Sequence, residues 1–149
     1  MRPFSLTLVI AMQFVVCGAL ALSVGASPCT VEDSKRAFDA VDKLDSWGAV
    51  LNFYKKHLAC DDGGIAEGVS DAVTKLLAND WAGFWRLGAT VRAEPQFQRF
   101  VLRHIDATIP VETLQSIGRN ARSRCTQKST ALCKKIDNAT SSAIREAQQ

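Results

Sequence analysis

Histidine is scarce in this chain: its 149 residues include two, His57 and His104, and no HExxH or GxSxG pattern occurs anywhere. Those absences remove the usual signatures of zinc proteases and serine hydrolases. No two cysteines stand two to four residues apart, so the ligand spacing of a structural zinc site is missing as well. There is no alternating run of β-branched residues long enough for a strand, which excludes a sheet-based core. No low-complexity linker and no internal repeat that aligns divides the chain, which leaves room for one compact domain.

What is there begins with MRPFSLTLVIAMQFVVCGALALSVGA, a cationic start, a long apolar run and a small-residue close. This layout predicts a secretory signal over residues 1–26, cleaved after Ala26, and a single helical domain over residues 27–149. The alternative is an uncleaved anchor, since about 20 apolar residues span a bilayer. Gln13 inside the run and the small residues that end it favour cleavage, with no stable membrane anchor afterwards. Four cysteines follow the leader, Cys29, Cys60, Cys125 and Cys133. An even number in an exported chain predicts two disulfides.

Apolar residues recur at helical spacing along the rest of the chain, so the expected fold is all-α. It is a compact bundle or short α-solenoid of about six to seven short helices, stapled by disulfides. The helices are expected at Thr30 to Leu44, Ser46 to Ala59, Gly64 to Ala78, Trp81 to Ala93, Pro95 to Ile105, Val111 to Arg124 and Thr130 to Ala147. Thr30, Ser46, Asp62 or Gly64, and Asp80 fit N-caps, and Pro95 and Pro110 fit first turns, where a missing N–H costs nothing. The last helix has the thinnest apolar stripe, Leu132, Ile136, Ala139 and Ala143. Antiparallel hairpins would bring Cys29 to Cys60 and Cys125 to Cys133, each bridge contributing on the order of 3 kcal/mol. Pairing Cys60 with Cys125 and Cys29 with Cys133 is the non-local alternative.

Charge is unevenly spread. Residues 27–85 hold six basic and ten acidic side chains, whereas residues 86–149 hold eleven basic and five acidic. The stretch CDDGGIAEGVSD concentrates Asp61, Asp62, Glu67 and Asp71. Wound at about 100° per residue, it puts Ile65, Val69, Ala72, Val73 and Leu76 on one stripe and Glu67 and Asp71 opposite, facing water. Asp61 and Asp62 lie ahead of the helix, where anions are favoured, and capping explains them without a ligand. Apolar Ile65 and Ala66 occupy positions where a calcium loop needs oxygen ligands, so no metal is expected. A phosphate loop would need a preceding strand and a following lysine, which are missing.

His57 falls on the stripe of Val50, Phe53, Tyr54 and Leu58, and His104 on that of Phe97, Phe100 and Val101, so both are expected to point inward as packed core residues. The sharper alternative joins His57, His104 and Asp106 in one polar cleft with acid–base capacity. In DWAGFWRLGATVR, Trp81, Phe84, Trp85, Gly88 and Val91 share a broad helical face, mostly core. Any exposed part, next to Arg86 and Arg92, has the composition of a protein-binding hot spot. The later basic residues are scattered over several helices, a solvated face rather than a nucleic-acid groove.

The span from about Phe53 to Cys125, with CDDGGIAEGVSD, FQRFVLRHIDAT and IGRNARSRC, resembles small exported all-helical bacterial proteins that carry no assigned activity. The resemblance covers about half the chain and implies a bacterial periplasmic or secreted helical protein, with no catalytic residues. The format of leader, helical domain and two disulfides is similar to that of periplasmic immunity proteins directed against type VI secretion toxins. The expected function is protein–protein binding in the cell envelope, through Asp61, Asp62, Glu67, Asp71, Trp81, Trp85 and Arg86. No cofactor, metal or nucleic acid is expected. The alternatives are an envelope-acting enzyme using His57, His104 and Asp106, and a carrier of small apolar ligands lined by Trp85, Phe97 and Phe100.

Overall fold

The structure, a computed structural model, describes residues 28–149; the expected leader over residues 1–26 lies outside the described residues. It contains seven α-helices and, among the described residues, no strand: α1 Val31–Val41, α2 Trp47–His57, α3 Gly63–Asn79, α4 Phe84–Ala93, α5 Pro95–Arg103, α6 Val111–Ser123 and α7 Thr130–Ala147. Short 3-10 turns at Leu58–Cys60, Trp81–Gly83 and Gln127–Ser129 join them.

Local chemistry sets the helix starts. Thr30 caps α1, its hydroxyl accepting from the Asp33 N–H at 3.1 Å while the Asp33 carboxylate reaches back, a capping box. Ser46 caps α2 by accepting from the Ala49 N–H. Asp62 caps α3 and accepts from Gly63, which takes a positive φ of 52° that a side chain would resist. Pro95 opens α5 and Pro110 precedes α6. Asp80 caps the 3-10 turn rather than an α-helix, so α4 begins at Phe84 and not at Trp81.

α3 lies centrally and packs against α1, α2 and α6, while α5 touches α2, α4 and α7. Such pairings between helices distant in sequence close a bundle; a solenoid would join only neighbours. α6 and α7 form the most extensive pair. Phe53, Leu77, Leu87, Phe97, Leu114, Ile117 and Ile136 are fully buried in one core. The thin stripe of α7 suffices because Leu132, Ile136, Thr140 and Ala143 are all buried and Gly118 lets α6 come close to Thr140. Two side chains tie α6 to the end of α3: Asn120 donates to the Leu77 and Ala78 carbonyls at 3.1 and 2.9 Å, and Trp81 Nε1 donates to the Arg124 carbonyl at 3.0 Å. The disulfides join Cys29 to Cys60 and Cys125 to Cys133, the local pairing.

Candidate functional site

The polar residues of greatest interest gather where the Cys29–Cys60 bridge meets α3 and the end of α5. Cys60 fixes the start of the loop that carries Asp61, and the Asp61 side chain turns inward until it is fully buried. Its Oδ2 accepts from Arg103 Nη2 and from His104 Nε2, the latter at 3.1 Å. His104 caps the end of α5 and is itself buried, its ring centroid 4.6 Å from that of Phe100 in an edge-to-face arrangement. Its Nδ1 lies 2.9 Å from Ser70 Oγ, and Ser70 donates to Asp106 Oδ2 at 3.1 Å. Asp106 is completed by the N–H and hydroxyl of Thr108 at 2.9 and 2.5 Å.

Proton counting defines this row. A carboxylate only accepts, so the Asp61 bond requires a proton on Nε2, and the Asp106 bond takes the single Ser70 proton. Partial burial raises the Asp106 pKa, but the Thr108 side-chain and backbone bonds, the Ser70 bond and the charge on His104 outweigh it and hold the carboxyl below its ordinary value.

Hydroxyl, imidazole and carboxylate in sequence have the connectivity of a nucleophile, base and orienting acid. The surroundings are unlike those of a nucleophile. Ser70 is mid-helix, where neighbouring N–H groups are consumed by the helix and leave no oxyanion hole; it is also buried, and its proton is committed to Asp106. A cleft of about 230 Å³ does open here, lined by Asp61, Glu67, Ser70, Arg103, His104 and Asp106 among others.

This arrangement corrects the sequence reading of Asp61, which is an interior partner of Arg103 and His104 and not a helix-start anion. Of the expected polar trio, His104 and Asp106 are brought together through Ser70, and His57 is not among them. His57 is half-buried, packs 5.4 Å from Phe53, and lines a separate groove of about 580 Å³ between α1 and α2. Sequence reasoning missed Ser70. Its signal was a polar pair, Ser70 and Thr74, set one turn apart within the buried face of α3, because polar groups there require partners.

The other candidate residues are dispersed. Asp62 and Glu67 are exposed, and Asp71 is paired with Lys75 at 2.6 Å. Trp81 is buried and stacks 4.2 Å from Phe84, so it offers no surface, whereas Trp85 is 64% exposed with the Arg86 guanidinium 5.0 Å over its ring. Phe97 and Phe100 stack on one another in the core, away from solvent-facing Trp85.

A second concave feature has a marked charge. Between the end of α1 and the length of α3 runs a groove of about 590 Å³, walled by Asp42, Asp45, Asp71 and Asp80 against the single cation Lys75, with Val41, Leu44 and Leu76 in its floor. Gly68 sits where the helices cross, and a Cβ there would collide with Val41. No cluster of three or more potential metal ligands is present among the described residues. No protein-family model, curated protein or solved structure matches the chain.

Proposed function

We propose that the chain is an exported helical binding protein that grips another protein of the cell envelope, in the manner of a periplasmic immunity or inhibitor protein, and that the acidic groove between α1 and α3 receives a basic segment of that partner. The groove carries the reading: four carboxylates face one lysine over a partly apolar floor, a composition complementary to lysine- or arginine-bearing chain and not to a phosphate backbone. The format supports it too. Two disulfides brace the domain, and among the described residues no helix is long and apolar enough to cross a membrane. A periplasmic or secreted location accords with those bridges and with the apolar leader read from the sequence.

The test is capture from envelope extract on the oxidised protein. A partner released by raised salt, and lost on Asp42→Lys with Asp45→Lys while the melting temperature is kept, is the expected result. Capture that survives both treatments would overturn the groove.

An enzyme is the second reading, favoured by one observation, the Ser70, His104 and Asp61 row. An activated Ser70 would be labelled by a fluorophosphonate at neutral pH and a His104→Ala protein would not; unlabelled wild type removes this reading.

A further inference from the structure

We propose that the cleft beside the Cys29–Cys60 bridge binds a cationic hydrogen-bond donor, a primary ammonium or guanidinium group, whose N–H groups complete the Asp61 carboxylate. This site is separate from the acidic groove and stands or falls independently of it.

Its chemistry follows from what the cleft has left to offer. Asp61 is fully buried and lines the cleft; its Oδ2 holds Arg103 and His104, while its Oδ1 has no hydrogen-bond partner among the described residues. A buried carboxylate oxygen without a donor is costly, and such groups are uncommon in folded proteins. Apart from the other N–H groups of Arg103, which is more than half exposed, the side-chain donors of the cleft are committed. Arg103 Nη2 gives to Asp61, Ser70 gives to Asp106, and the Thr108 hydroxyl and N–H both give to Asp106. His104 spends Nε2 on Asp61 and Nδ1 on Ser70.

The unspent capacity is acceptor capacity: Asp61 Oδ1, the exposed Glu67 carboxylate at the rim, and the remaining lone pairs of Thr108 and Asp106. The three carboxylates of Asp61, Glu67 and Asp106 outnumber the one permanent cation of the lining, Arg103. A ligand that fits must bring N–H donors and positive charge. A volume of about 230 Å³ admits a group the size of an arginine or lysine side-chain end and excludes drug-sized molecules. Asp61 Oδ1 is closed to solvent, so the ligand reaches it by displacing the Arg103 side chain, which is more than half exposed. Arg103 also competes with the ligand, because its guanidinium already neutralises Asp61.

Full-length oxidised protein is titrated with methylguanidinium and with propylammonium while the His104 imidazole resonances are followed by NMR, using tetramethylammonium at equal ionic strength as the donor-free control. Saturable shifts with the first two and none with the control are expected. Asp61→Asn should weaken binding by ~10-fold or more. Arg103→Ala should tighten it by ~3- to 10-fold through loss of the competing cation. If Asp61→Asn does not fold, Arg103→Ala, with its fold checked by circular dichroism because it removes a partner of buried Asp61, decides the matter alone. A response that does not saturate, that tetramethylammonium reproduces, or that weakens with Arg103→Ala overturns the proposal. Comparison with acetyl-Gly-Arg-Gly-amide then separates the sources of the same chemistry. Tighter binding of the peptide points to a protein side chain and equal binding to a free small cation, and either result upholds the site.

Discussion

Removal of His104 separates a structural row from a solvent-facing histidine. His104 is 2% exposed, bonds to Asp61 and Ser70, and packs edge-on against Phe100. His104→Ala leaves the buried Asp61 carboxylate with only Arg103, strands Ser70 on that side, and opens a cavity against Phe100. Each buried polar group left without its partner costs about 1–3 kcal/mol and the cavity adds to this, together a large part of the roughly 5–15 kcal/mol that holds a domain of this size together. The corresponding fall in melting temperature is on the order of 10 °C. His57→Ala is the internal control: His57 is half-buried and has no hydrogen bond among the described residues, so its loss should cost about 1 kcal/mol or less. Urea unfolding of both oxidised variants, followed by tryptophan fluorescence, measures the two costs side by side. A His104→Ala protein within about 0.5 kcal/mol of wild type, or one no less stable than His57→Ala, would refute the reasoning.

The two bridges should contribute unequally. The Cys29–Cys60 bridge spans a sequence separation of 31 and the Cys125–Cys133 bridge one of 8, which the chain-entropy relation converts to about 3.7 and about 2.5 kcal/mol. Paired Cys→Ser replacements measured by equilibrium unfolding should keep that order. Acid stability should depend on Asp106. Its carboxyl is held below the ordinary value of 3.8, so it contributes stability that is present above that pH and is lost as pH falls through the lower folded value. Asp106→Asn should therefore flatten the acid limb of the stability curve below about pH 4, as read by circular dichroism against pH. Trp81→Ala should cost about 3–5 kcal/mol, the usual penalty for truncating a buried tryptophan, while Trp85→Ala should stay within about 0.5 kcal/mol of wild type because its ring faces solvent.

The seven helices are legible in the chain because apolar spacing, capping residues and prolines agree at nearly every start, and the local disulfide pairing follows from hairpins drawn with those helices. What escaped the sequence depends on contacts between distant residues. Asp61 beside Asp62 looks like a second helix-start anion, and only Arg103 and His104, more than forty residues on, turn it inward. Ser70 gains meaning only from the loop that brings Asp106 to it. Trp81 and Trp85 share a face when wound as one α-helix, but Trp81 stands in a 3-10 turn, whose tighter winding of about three residues per turn rotates it away from its neighbour. The acidic groove was visible only as an excess of carboxylates before residue 86, since Asp42 and Asp80 come to line one groove only when α1 packs across α3 at Gly68.

The most direct measurement of the groove's role is zero-length carbodiimide cross-linking of the captured partner to the oxidised protein, mapped by peptide mass spectrometry, because the reagent joins a carboxylate to a lysine only where the two are in contact. Cross-links from Asp42, Asp45, Asp71 or Asp80 to partner lysines are expected. Cross-links that avoid all four and fall on carboxylates elsewhere, such as Glu112 or Glu146, would contradict binding through the groove.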